Sequence, residues 1–137
     1  MNANLNRAKN LLGGEVSLAL VGEKGELTFK ERGVRALLSI QNGTLAGASV
    51  ADKVVGKAAA MLFVRGGIKE VYAEIISEPA LEVFKRHGVP CAFGELVKNI
   101  INRTNTGICP MEQAVLDEND IERAYEILVR KTGGAVQ

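Results

Sequence analysis

Two stretches of this sequence concentrate side chains that could do chemistry. The first is Ser49-Val50-Ala51-Asp52-Lys53-Val54-Val55-Gly56-Lys57. Its S-x-x-D spacing matches a helix N-cap with an acidic reciprocal partner, which predicts a helix running on through Lys53 to Val64 and stopping at Gly66-Gly67. At about 100° per residue, Asp52, Lys53, Gly56, Lys57 and Ala60 would then share one polar arc of roughly 140°. Two lysines and the N-terminal N–H groups of the helix would face a phosphate or carboxylate there. Glycine inside a helix costs about 1 kcal/mol relative to alanine, so Gly56 asks for a reason. Close approach of a ligand or of another backbone would supply one. The plainer account of the same arc is a solvated face with a packing notch.

The second stretch is Asn102-Arg103-Thr104-Asn105-Thr106-Gly107-Ile108-Cys109-Pro110-Met111-Glu112, a polar loop feeding a helix start. Cys109 would be the N-cap and Pro110 the first helical residue, where a missing N–H has no intrahelical partner. A thiol at a helix N-terminus can have its pKa lowered and act as a nucleophile, with Glu112 one turn further on. Arg103 offers a two-pronged fork to phosphate or carboxylate. The plainer account is a buried cysteine in an ordinary polar loop.

Other reactive side chains carry less. His87, the only histidine, precedes Gly88 at a predicted helix C-terminus, where the helix dipole favours a cation. Cys91 falls in an apolar strand, and Glu78, before Pro79, suits a helix cap. One histidine supports no Ser-His-Asp or Cys-His catalytic set. The phosphate-cradling patterns G-x-x-x-x-G-K-[ST] and G-x-G-x-x-G do not occur.

The elements that must position these residues can be read from periodicity. Asn4 to Leu12 is helical and ends at Gly13-Gly14. Val16 to Val21 and Leu27 to Phe29 flank Gly22-Glu23-Lys24-Gly25 as a β-hairpin. Gly33 to Asn42 reads as a short helix, Lys69 to Ile76 as a strand, and Pro79 to His87 as a helix. Val89 to Phe93 is a strand and Glu95 to Ile101 a short helix. Helical patterns follow from Pro110 and over Ile121 to Val129, with residues 133–137 as a frayed tail. The order implies one α/β domain over residues 1–137, a mixed sheet with helices on its faces.

Bulk composition narrows the function classes. The chain has 137 residues, 17 Lys+Arg against 16 Asp+Glu, and 4% aromatics without tryptophan. Signs are interspersed and no basic patch carries aromatics, so nucleic acid is not an expected partner. Apolar runs such as Ala58 to Val64 fall far short of the ~20 residues that span a bilayer, so no membrane partner is expected. No signal peptide is read from the N-terminus, and two cysteines outside any C-x-x-C fit a reducing cytoplasm.

The run Ala51 to Ala60, together with Asn102 to Glu112 downstream, resembles a small bacterial family of unknown function whose fold is similar to that of cytidine deaminase. The resemblance covers nearly the whole chain and implies a deaminase-like three-layer α/β sandwich. Zinc deaminases carry an H-x-E or C-x-E helix start and a later P-C-x-x-C. The matching positions here are Asp52-Lys53-Val54 and Glu78-Pro79-Ala80-Leu81, which hold no such ligand set, so no metal and no cofactor are expected. The resemblance instead implies a cavity lined by Asp52, Lys53, Lys57 and Ser77, with the Asn102–Glu112 loop folding over it.

The sequence thus points to metal-free binding, or turnover, of an anionic nucleotide-like small molecule. Asp52, Lys53, Gly56, Lys57 and Ser77 would meet it, with Asn102, Arg103, Thr104 and Glu112 orienting the rest. Two alternatives stand beside this: a cysteine enzyme with Cys109 as its catalytic residue, and a non-catalytic module that forms a homo-oligomer.

Overall fold

Strand alternation builds the centre of this fold. In a computed structural model of the chain, which describes residues 3–31, 34–40, 43–101, 107 and 109–133, eleven elements follow one another. They are α1 (Ala3–Leu11), β1 (Leu18–Gly22), β2 (Gly25–Phe29), α2 (Val34–Leu38), β3 (Ser49–Val55), α3 (Lys57–Gly66), β4 (Glu70–Ser77), α4 (Glu78–Arg86), β5 (Cys91–Val97), α5 (Pro110–Val115) and α6 (Ile121–Lys131). The five strands form one mixed sheet in the order β2-β1-β3-β4-β5. β1 pairs antiparallel with both β2 and β3, whereas β3, β4 and β5 run parallel.

The hairpin closes where two glycines face each other, Gly22 opposite Gly25, and Gly25 takes φ +108°, a conformation that favours glycine. Along β1 the apolar residues divide by parity. Leu18 and Leu20 join the large core with Val50, Phe63 and Phe84, while Ala19 and Val21 join a smaller cluster with Ala8 and Ala51. Successive side chains of a strand point to opposite faces. One face of the sheet therefore packs against α1, and the other against the helices after β3. Helices on both faces of a mixed sheet fit a three-layer α/β arrangement.

The predicted helix from Asp52 is, in its first half, a strand. β3 sits between two partners, buries Ser49, Val50 and Ala51 completely, and carries three β-branched valines. Ser49 is no cap: its hydroxyl donates across to Glu70 Oε2 on β4 at 2.6 Å. The helix begins only at Lys57, with Gly56 at its N-cap and Gly67 (φ +79°) closing its C-terminus. Seven of its ten residues are buried, as its composition leads one to expect.

A second difference lies further on. The predicted strand Val89–Phe93 holds from Cys91 onward, but the predicted helix Glu95–Ile101 does not: β5 runs on to Val97 in parallel register with β4. Pairing Glu95, Leu96 and Val97 with Ile75, Ile76 and Ser77 outweighs their local helical pattern. α2 covers Val34–Leu38 and gives way to a turn at Ser39 and Ile40, before the predicted end at Asn42. Residues 134–137 of the expected tail lie outside the described residues. Among the described residues, no helix is long and apolar enough to cross a membrane.

Candidate functional site

Parallel strands leave a crevice beyond their carboxyl ends, and this is where α/β proteins tend to bind ligands. Here a cavity of about 330 Å3 opens beyond the carboxyl end of β3, next to the start of the antiparallel β1. Ser17 and Leu18, the strand end Asp52–Val54, Gly56, Ala58 and Ala59 form its floor. Val34, Ala36 and Leu37 of α2 form one wall; Ile100, Ile101, Cys109, Met111 and Glu112 form another, and Glu31 lies at the border.

Asp52 is the polar group at the centre of this arrangement. It stands opposite Leu18 in the β1–β3 register, half-buried, and borders the cavity. Burial pushes its carboxyl group up from 3.8 to about 7, against hydrogen bonds from the Val54 and Lys53 amides that pull the other way. Lys53 points to the opposite face of the strand, where its ammonium donates to the Gly14 carbonyl at 2.9 Å.

The anion site is expected at a helix start beside Asp52; the helix begins instead at Lys57, and its first amides hold the chain's own carboxylate. Glu112 Oε1 accepts the Lys57 amide and Glu112 Oε2 the Ala58 amide, each at 2.7 Å. Two of the four N–H groups left over at a helix N-terminus are satisfied in this way. Gly56 now has its reason: a Cβ at that position would run into the Glu112 carboxylate.

Lys57 is a correction. Its ammonium turns away from the cavity and donates to the Leu116 carbonyl at 2.8 Å and to Asn119 Oδ1 at 3.3 Å. The side chain is only 5% exposed, and burial above all holds its pKa below the usual lysine range. A substitution at Lys57 therefore tests the fold before it tests any ligand. Ser77 is a correction too. It is fully buried at the N-cap of α4, where its hydroxyl accepts the Ala80 amide at 3.2 Å, and it does not border the cavity.

Cys109 does border the cavity and is the N-cap of α5, with Pro110 first in the helix, as the sequence leads one to expect. Its amide donates to the Ile100 carbonyl at 3.0 Å. Two features weaken the nucleophile reading. α5 has only six residues, and Glu112, the expected base, already has both oxygens bonded to α3. Asn102, Arg103 and Thr104 lie outside the described residues. Cys91 is half-buried, and burial lifts its thiol to about 11. Among the described residues, no group of three His, Cys, Asp or Glu side chains could hold a metal ion.

The residues that sequence reasoning missed are the apolar walls, Val34, Leu37, Ile100, Ile101 and Met111. Nothing in their local pattern sets them apart from core residues. The available signal was the placement of Gly56 between a valine-rich run and an alanine-rich helix, which marks a strand-to-helix turn.

Fold and cavity together define a mixed-sheet α/β protein with a concavity of small-molecule size at its strand ends. Residues 7–131 match the model of the family described as TM1506, domain of unknown function (DUF1893), and the chain belongs to that family. Among solved structures, it is similar to the crystal structure of a DUF1893 family protein (TM1506) from Thermotoga maritima. The two share 27% sequence identity with a TM-score of 0.79, over 96% of this chain and 92% of that one. No curated protein matches this chain.

Proposed function

We propose that this chain binds a nucleoside-sized small molecule, without a metal ion, in the cavity beyond β3. The observation that carries the reading is the cavity itself: about 330 Å3, mostly apolar in its walls, with the half-buried carboxyl group of Asp52 in its floor. Ligand pockets commonly combine a volume of ~300–1,000 Å3 with apolar walls and a few placed polar groups. Apolar walls suit the faces of a flat heterocycle, and Asp52 suits its ring N–H or exocyclic amino donor. The reading treats the fold as a deaminase-like sandwich that lacks the zinc ligands.

The charge balance alters the ligand first expected. Lys57 and the leading amides of α3 are bonded within the chain, and Glu31, Asp52 and Glu112 all border the cavity. Among the described residues of that floor, no cation is left free to meet an anionic group. The ligand is accordingly proposed as a neutral or amino-bearing nucleoside rather than a nucleotide, with any phosphate left at the rim.

A thermal-shift screen of the metal-stripped protein against nucleobases, nucleosides, nucleotides and sugar phosphates tests this. A ligand at 100 times its dissociation constant stabilises by about 2.7 kcal/mol. The expected result is a shift with an amino-bearing nucleoside that Asp52→Ala abolishes. No shift with any compound, or one that only phosphates produce, overturns the reading.

A further inference from the structure

Two buried charged residues fasten α5 to α3 in both directions. Glu112, on α5, gives its carboxylate to the first amides of α3; Lys57, first residue of α3, gives its ammonium to Leu116, the C-cap of α5, and to Asn119 beyond it. Each helix end thus receives the sign of charge that its unpaired backbone groups favour. The two side chains are 6% and 5% exposed. The apolar contact behind them is narrow: of the six residues of α5, Val115 enters the main core and Met111 packs against it, whereas α3 buries seven of its ten.

We propose that the segment from Cys109 to Asn119 is a movable wall of the cavity, fastened by this reciprocal latch and released as a unit when the latch breaks. A helix held by an apolar face loses burial when it leaves. A helix held by buried charges regains solvation, because both ions return to water on opening. The polar fastening therefore gives two discrete states, and the open one uncovers the side of the cavity that Cys109, Met111 and Glu112 close. Release does not depend on which ligand enters, so the proposal holds or fails independently of the nucleoside reading.

Alkylation of the two cysteines by iodoacetamide, without ligand, tests it. Cys109 stands at the start of the wall, and Cys91, half-buried in β5, is the reference thiol outside it. Wild type, Glu112→Gln and Lys57→Met are compared by mass spectrometry of each thiol. The expected result is that both variants label Cys109 faster by about tenfold, the effect of weakening one charged hydrogen bond, with Cys91 unchanged. The two substitutions have opposite electrostatic effects on a nearby thiolate, so acceleration in one and slowing in the other means a field effect and overturns the proposal. Equal acceleration of both cysteines, or none, also overturns it. Should a variant fail to fold, native-state hydrogen exchange of the wild type decides. Amides of α5 are expected to exchange with far less denaturant dependence than those of α3, and identical dependence overturns the movable wall.

Discussion

The carboxylate of Glu112 accepts the amide of Lys57, while the ammonium of Lys57 bonds the Leu116 carbonyl at the end of the helix that carries Glu112. Fifty-five positions separate the two residues, yet each satisfies the helix end of the other. Lys57 and Glu112, both candidates for ligand contact by residue type, are used here to join two elements of the fold.

Removing the Glu112 side chain takes the acceptor from the Lys57 and Ala58 amides at the buried start of α3, while the Lys57 ammonium keeps the Leu116 carbonyl and Asn119. Glu112→Ala should destabilise the protein by about 2–4 kcal/mol, since two charge-assisted hydrogen bonds go and two amides are left unpaired. Urea denaturation should show a lower midpoint with little change in slope. Glu112→Ala and Lys57→Met combined should cost less than the sum of the two, with a coupling of about 0.5 kcal/mol or more. Strict additivity would mean that the two contacts are independent.

Gly56→Ala tests the close approach at the N-cap of α3. Glycine is already preferred to alanine at an N-cap by a modest margin, and here a Cβ would in addition displace the Glu112 carboxylate. A loss of about 1–3 kcal/mol is expected by thermal or urea unfolding. In a Glu112→Ala background the same substitution should cost much less, because the obstructed group is gone. An equal loss in both backgrounds would assign the effect to the N-cap backbone instead.

Much of the layered pattern was legible from spacing, and the failures have physical causes. The hairpin, α1, β4, α4 and α6 follow from alternation, helical periodicity and their glycine or proline ends. β3 was hidden because Ser49-Val50-Ala51-Asp52 satisfies a capping pattern locally, while its strand state depends on β1 and β4, which are distant in sequence. The penalty of a mid-helix Gly56 was the sign of that error: starting the helix at Lys57 removes it. The second site stretch kept its helix start at Pro110, but its Glu112 turned inward, because no local pattern records what lies opposite a side chain.

Ser49→Ala follows from that correction. Its hydroxyl bonds the buried Glu70 carboxylate, so its loss should destabilise by about 1–3 kcal/mol while leaving far-ultraviolet helix content unchanged. Reduced helicity in the folded variant would restore the capping role for Ser49.

Asp52 gives the fold a pH dependence whose sign is fixed by the direction of its shift. Its pKa rises from 3.8 to about 7 on folding, chiefly through burial, so between those values the folded chain binds more protons than the unfolded one. Stability must then fall as pH rises through that window. The contribution is fully present below about pH 4 and lost above about pH 7. Solvent reaches the half-buried group, which reduces the effect to about 1–2 kcal/mol. Other carboxylates titrate in the same range, so the informative quantity is the difference between wild type and Asp52→Asn. That difference in urea midpoint should move steadily in favour of the variant from pH 4 to pH 7 and level off above. A difference independent of pH would mean that Asp52 titrates alike in the folded and unfolded chains, and that the cavity floor carries a full negative charge at neutral pH.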